Sequence, residues 1–175
     1  MKIETDAVVP FPRPDAFRAY RDELPELVDY LPNVKSIEVE GREEKDGVVE
    51  LVNVWHAGGD IPAPVRRFVG DNMLSWHDYA TWDQAAWTCR WRIETHSFRE
   101  AVQCSGENRF VELDGGRTRL EIKGELHIDL KKVRGVPAML AGSLGRTVEQ
   151  FLVKQITANL SDVSDGLTRY LGERG

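Results

Sequence analysis

A chain of 175 residues fits one domain, taken here as residues 1–175, since two domains would each have a thin core. Its 41% hydrophobic and 30% charged residues exclude a disordered or fibrous protein. A net charge of −6 argues against nucleic acid and against strong attraction to anionic membranes.

The first strand is expected at Lys2–Val9, with Ile3, Thr5, Ala7 and Val9 on one face. Pro10, Pro12 and Pro14 stop it. Pro14-Asp15 opens a short helix to about Glu23, and Pro25 starts a second, Glu26 to Leu31, closed by Pro32. Strands then follow at Val34–Glu44 and Val48–Ala57, joined by the turn Lys45-Asp46-Gly47. Gly58-Gly59 ends the second of these, and Ile61–Val69 is ambiguous, with a short helical turn favoured after Pro64. Four more strands are expected: Met73–Asp83, Ala86–His96, Glu100–Leu113 and Arg117–Leu130. Asp114-Gly115-Gly116 between the last two is a hairpin signal.

Two strands alternate clearly. Trp87, Cys89, Trp91, Ile93 and Thr95 share one face of Ala86–His96. Thr118, Leu120, Ile122, Gly124, Leu126 and Ile128 share one face of Arg117–Leu130. One buried and one wet face is the mark of an antiparallel sheet. The last third changes period. Leu144, Val148, Phe151, Leu152, Ile156, Leu160, Val163, Leu167 and Leu171 recur every three to four residues, which predicts a long amphipathic helix from Arg146 to Leu171.

One such helix cannot cover both faces of a large sheet, so the economical solution curls the sheet around it. The predicted class is α+β: a curved antiparallel sheet wrapped around a long C-terminal helix, with two short helices after the first strand. The chain here resembles the START-like (SRPBCC, birch-pollen-allergen-like) superfamily, whose helix-grip fold has this layout, and its bacterial members in particular. The likeness is carried by the Pro14–Leu31 helix pair, the proline-rich Ile61–Phe68 segment, the Trp76, Trp82-Asp83 and Trp91 series, Gly106, the Gly124–Ile128 strand and the helix from Gly145 to Leu171. None of these is a catalytic motif. The resemblance implies an apolar cavity between sheet and helix that takes a hydrophobic ligand. Some members are polyketide aromatases or cyclases, and others are lipid carriers or chaperone and ribosome partners.

Chemistry-bearing constellations are sparse. His56, His77, His96 and His127 are expected on the outer surface, away from any pocket. No HxxxH or CxxC spacing exists, so no metal and no cofactor is expected. A turn near Phe98-Arg99 pairs residues whose numbers sum to about 197. Cys89 then faces Asn108, Cys104 faces Ile93 and Trp91 faces Gly106, which holds the two thiols too far apart for a disulfide. Two cysteines and the polar stretch Met1–Asp6, which is unlike a signal peptide, point to a reducing cytoplasm.

Candidate ligand-lining residues are Trp55, Trp76, Trp82, Trp87, Trp91, Phe110 and Phe151, with the polar Asn53, Thr95, Asn108, Gln155 and Asn159 to orient a ligand. Each polar residue has the alternative of pairing with a neighbour, the backbone or water. Asp78 is the one carboxylate on an otherwise apolar face, with Leu74, Trp76, Ala80 and Trp82. Buried, it would have a raised pKa and be a weak candidate acid/base; a twist or bulge turning it outward is the favoured expectation. Arg66-Arg67 reads either as a gate to the cavity or as an exposed basic pair.

The leading functional expectation is binding or transport of a hydrophobic small molecule, lipid, sterol-like or polyketide-like, without chemistry. The alternatives are a polyketide cyclase, aromatase or dehydratase using a buried carboxylate, and a protein-interaction module with a filled core. The oligomeric state stays open.

Overall fold

The computed structural model describes residues 1–58, 75–96, 99–132 and 138–174; the side chains of several residues in the first half of the last helix, Phe151 and Gln155 among them, lie outside this set. The expected helical turn in Ile61–Val69 and the Arg66-Arg67 pair also lie outside it.

Strand β1 (Lys2–Val9) is followed by helix α1 (Arg13–Asp22) and a 3-10 helix (Leu24–Tyr30). Six strands come next: β2 (Val34–Lys45), β3 (Val48–Ala57), β4 (Ser75–Asp83), β5 (Thr88–Thr95), β6 (Val102–Leu113) and β7 (Arg117–Ile128). A short 3-10 turn (Leu130–Lys132) precedes helix α2 (Ala138–Arg174). The seven strands form one antiparallel sheet in the order β1-β7-β6-β5-β4-β3-β2. The chain thus builds a curved sheet with a short helical pair after the first strand and a long C-terminal helix, the expected helix-grip layout.

Local chemistry explains the elements. The β2–β3 turn places Asp46 and Gly47 at φ 52° and 79°, the left-handed pair of a tight hairpin. Register shifts at Val34/Ser36 and Val39/Gly41 mark irregularities in β2, where extra residues bend an edge strand. Helix α1 starts at Pro12-Arg13-Pro14, with Asp15 in its first turn and Arg21 in its last, matching the helix dipole. It buries Ala16, Phe17, Ala19 and Tyr20 along one face. Phe17 meets Trp82, Trp87 and Phe110 edge-on at centroid distances of 5.1, 5.2 and 5.0 Å. This aromatic cluster closes one end of the concave face.

Helix α2 has 37 residues, roughly 55 Å at 1.5 Å each. It begins eight residues before the expected Arg146, because the small residues Gly142 and Gly145 continue the helix where the apolar stripe is not yet visible. Its C-terminal half buries Val163, Leu167 and Tyr170 in the core. Tyr170 donates to Glu26 Oε2 at 2.7 Å, and Arg174 reaches the same carboxylate at 2.6 Å, tying the helix end to the 3-10 helix. Among the described residues no helix is long and apolar enough to cross a membrane.

Candidate functional site

The unbroken registers of β3, β4, β5 and β6 lay the concave side chains out in rows across the sheet. One row runs Trp55, Trp76, Thr95; the next runs Asn53, Asp78, Ile93, Cys104. The third runs Leu51, Ala80, Trp91, Gly106 and the fourth Val49, Trp82, Cys89, Asn108. Cys89 opposite Asn108, Cys104 opposite Ile93 and Trp91 opposite Gly106 are the pairs the sequence predicts, and both cysteines are free thiols.

Asp78 faces inward, against the favoured expectation that it turns out. The β3–β4 register runs from Val48/Asp83 to His56/Ser75 without a bulge, so its parity keeps it beside Trp76 and Ala80. Directly opposite, Asn53 donates Nδ2–H to Asp78 Oδ2 at 3.3 Å. Burial pushes the Asp78 carboxyl up to about 6, against the pull of the Asn53 amide and the nearby Trp55 indole, which favour its charge. Asp78 itself keeps some accessible surface, whereas Asn53 is 1% exposed.

Two buried polar atoms beside the carboxyl are unsatisfied: among the described residues, Asn53 Oδ1 and the Trp55 indole N–H have no hydrogen-bond partner. A formed bond from Trp55 to Asp78 is thus absent, although the N–H sits close enough to stabilise the anion. Trp55 and Trp76 stack at 5.8 Å and 13°, forming an aromatic wall beside the pair. Asn53, Trp55, Trp76, Asp78 and Thr95 therefore come together on two adjacent rows.

The other candidate residues are placed elsewhere. Trp82 and Phe110 are packed under α1 with Phe17. Trp87 is not in β5, as alternation suggested; it occupies the β4–β5 turn at φ 55°, with Arg13 over its ring at 4.5 Å. Trp91 donates its indole N–H to Asn108 Oδ1 at 2.8 Å, inside the core. Asn108 thus serves a tryptophan, the pairing alternative raised for it. Asn159 is half-buried on α2.

Sequence reasoning passed over Tyr20. Burial, then the Cys89 and Asp78 charges, raise the pKa of its hydroxyl, while the nearby Asn108 amide pulls the other way. The signal was available as the apolar face of α1, which points the residue at the sheet. Burial also pushes the Cys104 thiol up to about 12, with the Asp78 charge adding to it, so it stays protonated at neutral pH.

The histidines lie on the opposite face from Trp55 and Trp76, as expected, but three residues there join a chain ending at an acid. Ser75 Oγ lies 2.7 Å from His96 Nδ1, His96 Nε2 lies 2.9 Å from His77 Nδ1, and His77 Nε2 lies 3.1 Å from Glu40. Among the described residues no group of three or more His, Cys, Asp or Glu side chains is placed to hold a metal.

No protein-family model matches the chain, and no curated protein sequence does either. Solved structures do. The Zhui aromatase/cyclase from a Streptomyces species is 19% identical, with a TM-score of 0.70 over 99% of this chain and 94% of that one. TTHA0849 from Thermus thermophilus is 18% identical, with a TM-score of 0.68 over 97% and 99%. Norcoclaurine synthase from Thalictrum flavum is 15% identical, with a TM-score of 0.61 over 99% and 87%. Near-complete coverage of chains this different in sequence is a likeness of backbone architecture, and it shows that this chain shares the helix-grip fold of these proteins.

Proposed function

We propose that the chain binds an apolar small molecule against the concave face of the sheet, oriented by the Asn53–Asp78 pair. The observation that carries this reading is the unsatisfied Asn53 Oδ1, which is buried beside a carboxyl and an aromatic wall. A purely structural amide has both ends paired, because an unpaired buried acceptor costs about 1 to 3 kcal/mol. A ligand supplying the missing partner recovers that cost, and apolar burial against Trp55 and Trp76 adds about 25 cal/mol per Å². A lipid, sterol-like or polyketide-like molecule carrying a polar group fits this pattern. The setting we propose is cytoplasmic, in keeping with the two free cysteines.

Native mass spectrometry of the purified protein tests the reading, followed by denaturing extraction and by fluorescence titration of the tryptophans. The expected result is a stoichiometric small-molecule adduct, or saturable quenching, that Asn53→Leu weakens. An apo mass together with no saturable quenching by any apolar probe sinks it.

A second reading is favoured by one observation: a carboxyl titrating at about 6 can exchange a proton near neutral pH. In that reading Asp78 is the acid/base of a cyclisation or dehydration. Two structural neighbours, the aromatase/cyclase and norcoclaurine synthase, are enzymes by name. An Asp78→Asn variant that still binds but no longer turns over separates catalyst from carrier.

A further inference from the structure

The concave site has an imbalance of hydrogen-bonding groups. Asp78 presents two oxygens that only accept when ionised, and Asn53 Oδ1 is a further acceptor with no partner. Against these stand the two N–H groups of the Asn53 amide, one of them given to Asp78, the unbonded indole N–H of Trp55, and the more weakly placed Tyr20 hydroxyl and Cys104 thiol, while the Cys89 thiol is turned to the Arg90 carbonyl. No cation pairs with Asp78 among the described residues; its neighbours are Asn53 and Trp55 on β3, Cys89 on β5, Cys104 on β6 and Tyr20 on α1. Burial holds the thiols and the phenol in their neutral forms through the neutral pH range, so Asp78 carries the titration near pH 6. The groups beside the site are therefore acceptors in excess, one of them an anion, next to the stacked rings of Trp55 and Trp76.

A hydroxyl has one hydrogen to give, so it can serve Asp78 or Asn53 Oδ1 but not both. A carboxylate ligand would set two anions side by side. A protonated amine has donors and no acceptor, carries the charge that Asp78 lacks a partner for, and is attracted to the face of an indole ring. The geometry points to an apolar ligand bearing a protonated primary or secondary amine, whose N–H groups donate to Asp78 and to Asn53 Oδ1 with its body against Trp55 and Trp76. This deepens, and rests on, the proposal that the concave face takes an apolar small molecule. Here burial has already taken the Asp78 carboxylate out of water without a cation beside it, so an ammonium that pairs with it gains charge-assisted hydrogen bonds roughly twice as strong as neutral ones.

The test compares three probes of one apolar body: naphthylethylamine, naphthylethanol and naphthylacetic acid, each titrated calorimetrically into the full chain. At pH 8 the amine is expected to bind at least about tenfold more tightly than the alcohol, and the acid more weakly than either. The advantage should fade as pH falls through about 6, where Asp78 takes up a proton while the amine keeps its own. Asp78→Asn should bring the amine's affinity down to that of the alcohol measured on the same variant. The pH series on the unaltered chain gives the same information if that variant fails to fold. Alcohol or acid binding as tightly as the amine, or an amine preference that survives Asp78→Asn, overturns the amine assignment and leaves the apolar-ligand reading standing. Failure of all three probes to bind overturns both.

Discussion

The indole ring of Trp91 fills the space where Gly106, its partner across β5 and β6, would carry a Cβ. An atom built there lies 2.8 Å from Trp91 Cε2, closer still to Cζ2, and also runs into the Lys123 carbonyl. Gly124 on β7 continues the groove: its Cβ would lie 2.8 Å from Trp91 Cη2. One ring thus spans three strands over two glycines, and its N–H is taken by Asn108. Gly106→Ala should therefore destabilise the fold by about 2 to 3 kcal/mol, since the obstacle includes backbone and cannot rotate away. Urea unfolding checks this; a loss under about half a kcal/mol would show that the groove yields. For the same reason Trp91→Ala, about 3 to 5 kcal/mol by cavity formation, reports on the sheet and is a poor probe of ligand binding.

Asp78 gives stability a pH dependence with a definite sign. Its pKa is about 6 folded, against an ordinary 3.8 unfolded, so between these values the folded chain holds the extra proton. Stability contributed by the neutral carboxyl is present below about pH 4 and lost as pH rises through 6. Asp78→Asn, which keeps the acceptor for Asn53 and removes the charge, should be more stable than the parent at pH 8 by about 1 to 3 kcal/mol. At pH 4 the two should melt together. Thermal unfolding at both values decides it, and an equal difference at both would place the cost elsewhere.

The outer-face chain predicts a histidine that resists protonation. Partial burial, then the facing His77 and His56, holds His96 below the ordinary 6.5, although Glu40 pulls the other way. With a carboxylate accepting from His77 Nε2, the neutral chain runs Ser75 to His96 to His77 to Glu40, each giving a hydrogen to the next. The expected NMR titration has its His96 midpoint under 6.5, moving up in His77→Gln. The unfolded chain binds that proton more readily, so this small contribution to stability is lost as pH falls below 6.5. A His96 midpoint above 6.5 would mean that Glu40, not His77, dominates.

Gly166 on α2 sets how closely the helix approaches the 3-10 helix. A Cβ there would lie 3.3 Å from Tyr30 Cβ and 3.5 Å from Leu31 Cδ2. Alanine gains about 1 kcal/mol of helix propensity and loses part of it to that tight contact. Gly166→Ala should stay within about 1 kcal/mol of the parent, while Gly166→Val should cost about 1 to 3 kcal/mol. Denaturant midpoints for both variants test whether this contact line is rigid.

Much of the fold was legible because its signals are local. Ile3, Thr5, Ala7 and Val9 alternate with charged or exposed neighbours, and that period needs no partner to be read. The β5–β6 register was legible because a connection of known length ties residue numbers together, which placed Trp91 on Gly106. The start of α2 was not legible, because its glycines hide the stripe. Trp87 was misplaced because alternation cannot announce a left-handed turn at a tryptophan.

The candidate site divides in the same way. Sequence alone named Asn53, Trp55, Trp76, Asp78 and Thr95 as separate candidates, since strand parity assigns a side chain to a face. Their meeting on adjacent rows depends on β3 pairing β4 without a bulge, which no single strand encodes. Tertiary structure alone decided that Asp78 points inward, that Trp82 and Phe110 are covered by α1, and that Asn108 Oδ1 accepts from the Trp91 indole. Periodicity is a property of one segment, whereas burial and hydrogen-bond partnership belong to pairs of segments brought together by the curved sheet.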